Sequence, residues 1–358
     1  MQTNLSELAS KPIFFERNRV ARVYTGGKLF HDFFGDPAED SLYPEEWVAS
    51  SVRAMNRDSD NPVEGISKIK GTEIYLHELL EAEKERMLGD RESMGILVKV
   101  LDSAIRLAVQ SHPDKAFSAK HFNSPHGKAE SWLILATRPN AKIYIGFKAP
   151  VTRESFLEAM ERSETDKNAM EELLNEIPAK KGDVYFISPR LVHAIGGGCL
   201  ILEVQEPTDF NFQTEAWCGD YKLNDFEKYV GLDRDTALEC YDYSLHGEAV
   251  VRKAKKAPKA FVSRPGLTGE ALIGPGDTDC FSVNRYRINE GGLLSLGGPA
   301  IYIVIEGEGN ISGPDGYSYS VGKGDYFLMP ACAANEYELS GKDLELVECL
   351  PPEQDTAA

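Results

Sequence analysis

The chain has 358 residues, of which 42% are hydrophobic, and its formal net charge is −18. This length predicts two domains, and the hydrophobic content is sufficient for a sizeable core in each. The acidic balance argues against nucleic acids as partners and also disfavours anionic membrane surfaces. The expected partner is therefore a small molecule, held in a local site whose charge differs from the average of the chain.

The six cysteines are scattered and form no Cys-x-x-Cys pair. This pattern favours free thiols in a reducing compartment over a disulfide framework. The first residues lack the basic start and apolar stretch of a signal peptide. No run of about eighteen apolar residues occurs, so no membrane-spanning helix is expected. We therefore predict a cytoplasmic protein, and the sequence leaves its oligomeric state open.

Strand-like and helical patterns alternate along the first two thirds of the chain. Short strand-like pieces separated by glycines come first, and longer strand patterns fill 95–148. The spacing of apolar residues, together with Thr152 as an N-cap, points to helices between the strands. Helical segments are predicted at about 73–88, 152–177 and 215–250.

The last hundred residues are rich in short strands punctuated by glycine, which indicates a closed or nearly closed β-barrel or a β-sandwich. KKGDVYFISPRLVHAIGG at 180–197 resembles GKGDYFLMPACAANEYEL at 322–339. This self-similarity predicts a duplicated fold. We expect a mainly β protein with an N-terminal domain at 1–257, which includes the helical segments, and a C-terminal domain at 258–358.

Four potential metal ligands are spread over about eighty residues. Gln110 and His112 are two residues apart in a strand-like stretch, so they project to one face. Lys128 and Glu130 have the same spacing, and His193 begins a strand after a tight turn. Two imidazoles, a carboxylate and an amide oxygen suit zinc best, with manganese, iron, cobalt or nickel as alternatives. We predict one metal ion per chain, and no ligands for it in the second repeat, which has Ala334 or a neighbour in place of His193.

The combination Gln-x-His-Pro, Gly-Lys-x-Glu and Gly-Asp…Pro…His-Ala-Ile resembles the type I mannose-6-phosphate isomerases, particularly their shorter bacterial members. The resemblance runs from about residue 13 to the end and is sharpest at 97–146 and 182–217. It implies two cupin (jelly-roll) β-barrels with a helical insertion and a single zinc site in the N-terminal barrel. In the family, the positions of Gln110, His112, Glu130 and His193 bind the metal.

The resemblance also implies an activity and roles for further residues. The implied reaction interconverts mannose 6-phosphate and fructose 6-phosphate through a cis-enediol, which needs a base near two adjacent carbons. Lys128 would line the pocket and is a candidate for proton transfer, and Glu203 is the alternative base. Lys115 is a candidate for binding the substrate, because a phosphate group needs a cation nearby.

Two positions depart from the family pattern. Aligning Glu203, Asp209 and Trp217 puts Gln213 where the family has an arginine near the substrate, so a cation is lost at a candidate catalytic position. Arg106 stands where the family tends to have proline. It shares strand parity with Gln110, so an unbroken strand would aim it into the barrel as a replacement cation and second candidate for substrate binding.

These departures keep two alternatives open beside the isomerase. One is an isomerase or epimerase of the same family that acts on another sugar, which the loss of the cation at Gln213 favours. The other is a non-catalytic sugar-binding cupin that has kept the metal site. Lys128 and Glu203 favour catalysis over the second alternative.

Overall fold

The computed structural model describes residues 4–56 and 59–353. The prediction of a mainly β protein is confirmed, because strands make up more of these residues than helices do. Among the described helices, none combines the length and the apolar character needed to cross a membrane.

Short helices are interspersed among the strands, most of them in the first two thirds of the chain. The strands before residue 257 are β1 (Ile13–Phe14), β2 (Arg19–Val20), β3 (Glu45–Val48), β4 (Leu97–Ser103), β5 (Gln110–Ser111), β6 (Glu130–Thr137), β7 (Lys142–Phe147), β8 (Leu174–Pro178), β9 (Val184–Ile187), β10 (His193–Ile195), β11 (Cys199–Gln205), β12 (Phe212–Gln213), β13 (Trp217–Cys218), β14 (Tyr221–Lys222) and β15 (Lys255–Lys256). The strands that follow are β16 (Lys259–Arg264), β17 (Leu267–Ile273), β18 (Ser282–Ile288), β19 (Leu293–Ser295), β20 (Ala300–Ser312), β21 (Ser318–Gly322), β22 (Tyr326–Met329) and β23 (Glu338–Leu350). The α-helices are α1 (Leu5–Leu8), α2 (Phe30–Phe34), α3 (Leu76–Ala82), α4 (Lys84–Leu88), α5 (Lys115–Phe122), α6 (Arg153–Arg162), α7 (Asp225–Tyr229), α8 (Arg234–Ala237) and α9 (Glu248–Ala254), and single 3-10 turns lie at Glu171–Leu173, Leu238–Cys240, Pro314–Gly316 and Ala331–Ala333.

Two antiparallel sheets form most of the N-terminal part of the molecule. One has the strand order β15-β9-β6-β11-β4-β3-β2, and the other has the order β12-β5-β10-β7-β8. Alternate residues of a strand point to the same face, so each sheet contributes one set of side chains to a shared core. This core contains Trp132 and Tyr185 from the first sheet and Ile143 and Ile195 from the second.

The central strands β4 and β11 are buried along their whole length. One face of their sheet, with Leu101 and Ile201, packs against the second N-terminal sheet. The other face, with Val98 and Val204, packs in a core that also contains Val347 of the C-terminal sheet. Because both faces are covered, these strands read as nearly continuous apolar runs, in which a charged residue stands out.

The C-terminal sheet has the order β1-β22-β20-β23-β18-β17-β16, with β19 paired to β23 and β21 paired to β20. Strand β1 comes from the other end of the chain, since Ile13 pairs with Leu328. The C-terminal unit therefore includes residues outside the predicted range 258–358. Strand β15 ends at Lys256 in the N-terminal sheet and β16 begins at Lys259 in the C-terminal one, which fits a division at 257/258, although that division stays a prediction.

The helix predicted over 152–177 is wrong in its second half. Helix α6 ends at Arg162, and Leu174–Pro178 forms strand β8 beside β7. Leu174 is buried in the same cluster as Phe156 of the helix, so packing and strand pairing override the local helical pattern. Over 73–88 two helices follow each other, and over 215–250 strands β13 and β14 come first and only short helices follow them.

The duplication predicted from the two similar segments extends to strand register. The neighbouring strands β3-β4-β11-β6-β9 and β17-β18-β23-β20-β22 occur in the same relative order in their sheets. In the first set, Glu203 of β11 faces Trp132 of β6. In the second set, Glu348 of β23 faces Tyr302 of β20. Corresponding positions of the two units can therefore be compared residue by residue.

Candidate metal centre and active site

Three of the predicted metal ligands meet in the interior of the N-terminal unit. His112 follows β5, Glu130 begins β6 and His193 begins β10. The two carboxylate oxygens of Glu130 lie 3.2 Å from Nε2 of His112 and 3.2 Å from Nε2 of His193. All three side chains are buried, with exposed fractions of 1% or less. Residues from two different sheets thus place three potential ligands around one point.

Backbone carbonyls fix the orientation of both imidazole rings. Nδ1 of His112 lies 3.0 Å from the carbonyl oxygen of Phe210, and Nδ1 of His193 lies 2.7 Å from that of Leu191. Because a carbonyl only accepts hydrogen bonds, each Nδ1 is the N–H donor, and each Nε2 of the neutral ring keeps its lone pair. This is how metal-binding histidines are held in proteins.

Protonation at the centre also suits metal binding. Burial, followed by the nearby charge of Lys128, lowers the pKa of His112 to about 3, so this ring is neutral at neutral pH. Burial raises the pKa of Glu130, but Lys128 and His112 outweigh it and hold that pKa well below its usual range. Glu130 is therefore an ionised carboxylate beside a neutral imidazole.

Two polar atoms of this group lack a hydrogen-bond partner among the described residues. They are Oε1 of Glu130 and Nε2 of His193, both fully shielded from solvent. Leaving such atoms buried and unpaired costs about 1–3 kcal/mol each. One ligand atom from each of His112, Glu130 and His193 lies within 4.8 Å of the others. The chemistry of these donors and their orphaned atoms fits a divalent metal ion.

Gln110 lies next to this group in the five-stranded sheet. It pairs with His193 of β10 on one side and with Gln213 of β12 on the other. Residues directly opposite each other in an antiparallel sheet point to the same face. Gln110 therefore shares a face with His193, and its role as the fourth ligand stays a prediction.

Lys128 reaches the same centre from the loop before β6. Its ammonium group lies 3.1 Å from Nε2 of His112, 3.0 Å from Oε2 of Glu130 and 2.9 Å from Oδ1 of Asn211. The side chain is only 3% exposed. An ammonium group with three partners in a buried setting is held in one place, at the boundary between the metal ligands and the neighbouring cavity.

A cavity with a polar floor opens beside Lys128. It is bounded by strands β4, β5 and β11 and by the region around α7. Its charged and amide-bearing lining residues are Arg22, Glu45, Asn56, Lys99, Gln110, Lys128, Glu203, Asp209, Asn211, Gln213 and Glu227. Four residues predicted from the sequence, namely Gln110, Lys128, Glu203 and Gln213, therefore line one cavity together.

Five further charged lining residues were missed by the sequence analysis, namely Arg22, Glu45, Lys99, Asp209 and Glu227. Arg22 lies 3.1 Å from Glu45 and 3.1 Å from Asp209, and Lys99 lies 3.3 Å from Glu203. Lys99 offered a signal, because it is the only charged residue in the apolar run Ile96–Leu101. Arg22, Glu45 and Asp209 offered none, because they come together only when distant parts of the chain are paired.

Glu203 has a strongly altered ionisation. Burial raises its pKa to about 7, with Lys99 acting in the opposite direction and Glu130 reinforcing the rise. A carboxyl group with a pKa near neutrality can both accept and release a proton under physiological conditions. This property suits a residue that takes part in proton transfer.

Gln213 lies at the edge of the cavity. Its side-chain amide donates a hydrogen bond to the backbone oxygen of Glu227, with 3.2 Å between the atoms. The position therefore supplies a neutral polar group where the family resemblance implies a cation.

Arg106 and Lys115 both lie outside the described lining of this cavity, and their substrate-binding roles stay predictions. Arg106 is held outside the cavity lining by Glu215 and Glu171, with nitrogen–oxygen distances of 2.6 and 2.9 Å. It precedes the two-residue strand β5, so strand parity does not extend back to it. Lys115 begins helix α5 and points to the C-terminal unit, where it pairs with Asp279 at 2.9 Å.

Comparisons with known proteins find relatives along almost the whole chain. No family model matches the chain. Over 346 residues it is 27% identical to a mannose-6-phosphate isomerase of Streptococcus mutans, covering 94% of this chain and 98% of the relative. Over 350 residues it is 29% identical to the mannose-6-phosphate isomerase ManA of Bacillus subtilis, covering 96% and 99%.

Solved structures show the same fold. The crystal structure of a mannose 6-phosphate isomerase from Bacillus subtilis matches with a TM-score of 0.71 at 24% identity, covering 94% of this chain and 99% of the other. A mannosephosphate isomerase from Archaeoglobus fulgidus, described as putative, matches with a TM-score of 0.71 at 18% identity, covering 96% and 98%. The chain is therefore similar, over nearly its whole length and in its fold, to mannose-6-phosphate isomerases.

Proposed function

We propose that this protein is a metal-dependent aldose–ketose isomerase that interconverts mannose 6-phosphate and fructose 6-phosphate. The observation that carries the proposal is the buried group of His112, Glu130 and His193 beside a cavity that Lys128 and Glu203 also line. The Streptococcus and Bacillus relatives, which share almost the whole length of the chain, carry the name of this activity.

The proposed cofactor is one zinc ion, held by His112, Glu130 and His193 with Gln110 as the fourth ligand. Nitrogen and oxygen donors in this combination favour zinc, and manganese, iron, cobalt or nickel are the alternatives. When bound, such an ion polarises an oxygen of the sugar and stabilises the negative charge that develops there. An ionised Glu130 and a neutral Gln110 leave the loaded site with a net positive charge.

The chain itself supplies the groups that move protons. Isomerisation removes a proton from C2 of the aldose and returns one to C1, while a proton moves between the two oxygens. Lys128 and Glu203 are the two candidates, because both line the cavity and their charged atoms are held by neighbours. We propose that Lys128 transfers a proton to or from the sugar oxygen or carbon that lies nearest the metal ligands. Glu203 is the alternative base.

Exclusion of water supports this chemistry. Lys128, Glu203 and Lys99 are all at most 4% exposed, so their charges act in surroundings of low polarity where electrostatic interactions are strong. Trp132 donates a hydrogen bond to Glu203 at 3.4 Å and packs edge-on against His193. It is proposed to orient both groups rather than to react.

A second candidate is an isomerase or epimerase of the same family that acts on another sugar. Each of the three cations that line the described cavity is already paired with a carboxylate: Arg22 with Asp209, Lys99 with Glu203 and Lys128 with Glu130. Gln213 adds no charge. A sugar without a phosphate group would need no further cation. A sugar-binding cupin without turnover is the third possibility.

The test is turnover of mannose 6-phosphate by metal-analysed protein, with chelated protein as the control. Metal-dependent formation of fructose 6-phosphate is expected. One bound metal per chain without turnover of this substrate would contradict the proposal, and turnover of an unphosphorylated sugar would then support the second candidate. Binding of sugars without turnover of any would support the third.

Gln213→Arg sharpens the same test. A new cation at the cavity edge should raise kcat/KM for mannose 6-phosphate by about tenfold if the phosphate lacks a partner, the usual size of one charge-assisted contact. Gln213→Lys is the matched control, since it adds charge without the planar fork of arginine. An unchanged kcat/KM in both variants would remove position 213 from substrate recognition. Cytoplasmic location stays a prediction.

A further inference from the structure

One buried carboxylate holds the loop that carries Lys128. We propose that Glu206 is a positioning residue, which fixes the backbone on both sides of Lys128 and thereby the place of its ammonium group in the cavity. The catalytic consequence rests on the proposed function, whereas the structural consequence does not. Glu206 is 2% exposed and does not line the cavity beside the metal ligands.

Both oxygens of Glu206 are used for this purpose. Oε1 accepts a hydrogen bond from the backbone N–H of Gly127 at 3.1 Å, and Oε2 accepts one from that of Ala129 at 2.9 Å. The backbone N–H of Glu206 in turn donates to the carbonyl oxygen of Ala129 at 3.0 Å. Lys128 thus lies between two residues that are bonded to the same side chain. Hydrogen bonds to an ionised acceptor are stronger than neutral ones.

Neighbouring contacts complete the hold on this segment. The N–H of Lys128 donates to the carbonyl oxygen of Pro113 at 3.0 Å, and the hydroxyl of Thr208 donates to that of Gly127 at 2.7 Å. A side chain at Gly127 would begin 2.7 Å from the carbonyl oxygen of Pro113, so only glycine permits this close approach. The segment is therefore bonded to the residue after His112 on one side and to the end of β11 on the other.

The arrangement needs a carboxylate at position 206. Its two oxygens face two N–H donors, and an amide offers only one acceptor oxygen together with an N–H₂ group that would oppose the second donor. Lysine has a long and flexible side chain, and fixing it costs conformational entropy. A catalytic group must be held within about 0.5 Å of its working position. A rigid backbone at Lys128 therefore reduces the conformational entropy that is lost when its ammonium group is held in place.

The experiment compares Glu206→Gln with the parent protein by amide hydrogen exchange, metal content and steady-state kinetics. We expect the amides of Gly127 and Ala129 to exchange about tenfold faster. We expect kcat for mannose 6-phosphate to fall by about 10–100-fold. KM and the number of metal ions per chain should stay the same, because neither the cavity lining nor the metal ligands change. Glu348→Gln, which alters another buried carboxylate in the C-terminal unit, should change none of these values.

Several results would overturn the inference. Glu206 does not position Lys128 if the amides of residues 127–129 exchange equally fast in Glu206→Gln and the parent protein. The same conclusion follows if the parent protein is active and the variant has the same kcat. Loss of metal from Glu206→Gln would show that it acts through the metal ligands instead. If this variant fails to fold, Thr208→Val takes its place, with faster exchange at 127–129 and a kcat lowered about threefold expected from one lost neutral hydrogen bond.

Failure of the proposed function gives a different pattern. Faster exchange at 127–129 in Glu206→Gln, together with no turnover by the parent protein, would support the hold on Lys128 while contradicting the isomerase. Equally slow amide exchange at 127–129 in Glu206→Gln and the parent protein, together with normal turnover, would contradict the role of Glu206 in positioning Lys128. The same result would support the isomerase.

Discussion

Glu203 and Glu348 occupy corresponding positions in the two large sheets, but their surroundings differ. Glu203 lies 3.3 Å from the ammonium group of Lys99 and lines the cavity beside the metal ligands. Glu348 accepts hydrogen bonds from the hydroxyl of Tyr302 at 2.6 Å and the amide of Asn284 at 2.8 Å. The same register therefore holds a carboxylate among charges in one unit and among neutral donors in the other.

The positions two residues before the strand partners of Glu203 and Glu348 differ even more. Glu130 lies two residues before Trp132, the partner of Glu203. Ala300 lies two residues before Tyr302, the partner of Glu348, and is fully buried in an apolar cluster. The N-terminal unit thus has a potential metal ligand where the C-terminal unit has a methyl group. Shared strand geometry supplies the framework, and a few substitutions on its inner face supply the chemistry.

The largest expected effect comes from removing the metal centre, the feature that most separates the two units. His112→Ala deletes one of the two proposed imidazole ligands, so bound metal and turnover should be lost together. A metal contributes several kcal/mol of transition-state stabilisation, so kcat/KM should fall by about 1,000-fold or more. Metal analysis and kinetics on the same preparation measure both. Turnover that persists without metal would show that the metal ligands do not account for the activity of the N-terminal unit.

The second prediction concerns Lys128, whose counterpart two residues before Ala300 is a glycine. Lys128→Met keeps the length of the side chain and removes its charge. We expect one metal ion per chain as in the parent protein and a kcat about 100-fold lower, the usual range for losing a proton-transfer group. Lys120→Met, on the adjacent helix, is the control and should leave kcat within twofold. An unchanged rate in Lys128→Met would exclude Lys128 from the mechanism.

The sequence was informative where chemistry is local and uninformative where it depends on pairing. His112, Glu130 and His193 lie in short motifs that resemble those of a known family, so the resemblance implied their convergence. Arg22 and Asp209 lie almost two hundred residues apart and meet only because separate segments close over the sheet. Strand parity failed for Arg106, because the strand that would have aimed it inward is only two residues long.

Helix prediction shows the same limit. The pattern over 152–177 has the capped start that α6 displays, with Thr152 accepting from the N–H of Ser155. Beyond Arg162, Leu174–Pro178 pairs with β7 instead of continuing a helix. Nothing in the local sequence distinguishes an apolar residue on a helix face from one on an edge strand.

A third prediction tests the buried ion pair of Arg22 and Asp209 in the N-terminal unit. Asp209 is buried, which raises its pKa, but Arg22 and Lys99 hold it below the usual range. A carboxyl group whose pKa is lowered on folding stabilises the protein above its unfolded pKa of about 3.9, and this contribution is lost as the pH falls. Asp209→Asn should therefore lower the free energy of unfolding at pH 7 by about 2–3 kcal/mol.

Urea unfolding of both proteins at pH 7 and at pH 3.5 measures this difference, which should narrow at the lower pH. Asp279→Asn is the matched control, because its pair with Lys115 is exposed and worth less than about 1 kcal/mol. A difference between parent and Asp209→Asn that is the same at both pH values would show that the ionised form of Asp209 does not stabilise the fold.

The smallest expected effect lies in the C-terminal unit. Tyr302→Phe removes the hydroxyl that donates to Glu348, which keeps its bonds from Asn284 and Tyr286 at 2.8 and 3.2 Å. One lost hydrogen bond to a carboxylate with two remaining donors should cost about 1–2 kcal/mol of unfolding free energy. Metal content and kcat should stay within twofold of the parent protein. Both sheets contribute to one shared core. A larger change in kcat would therefore show that a change beside Glu348 alters the surroundings of Glu203, and that the two units do not act independently.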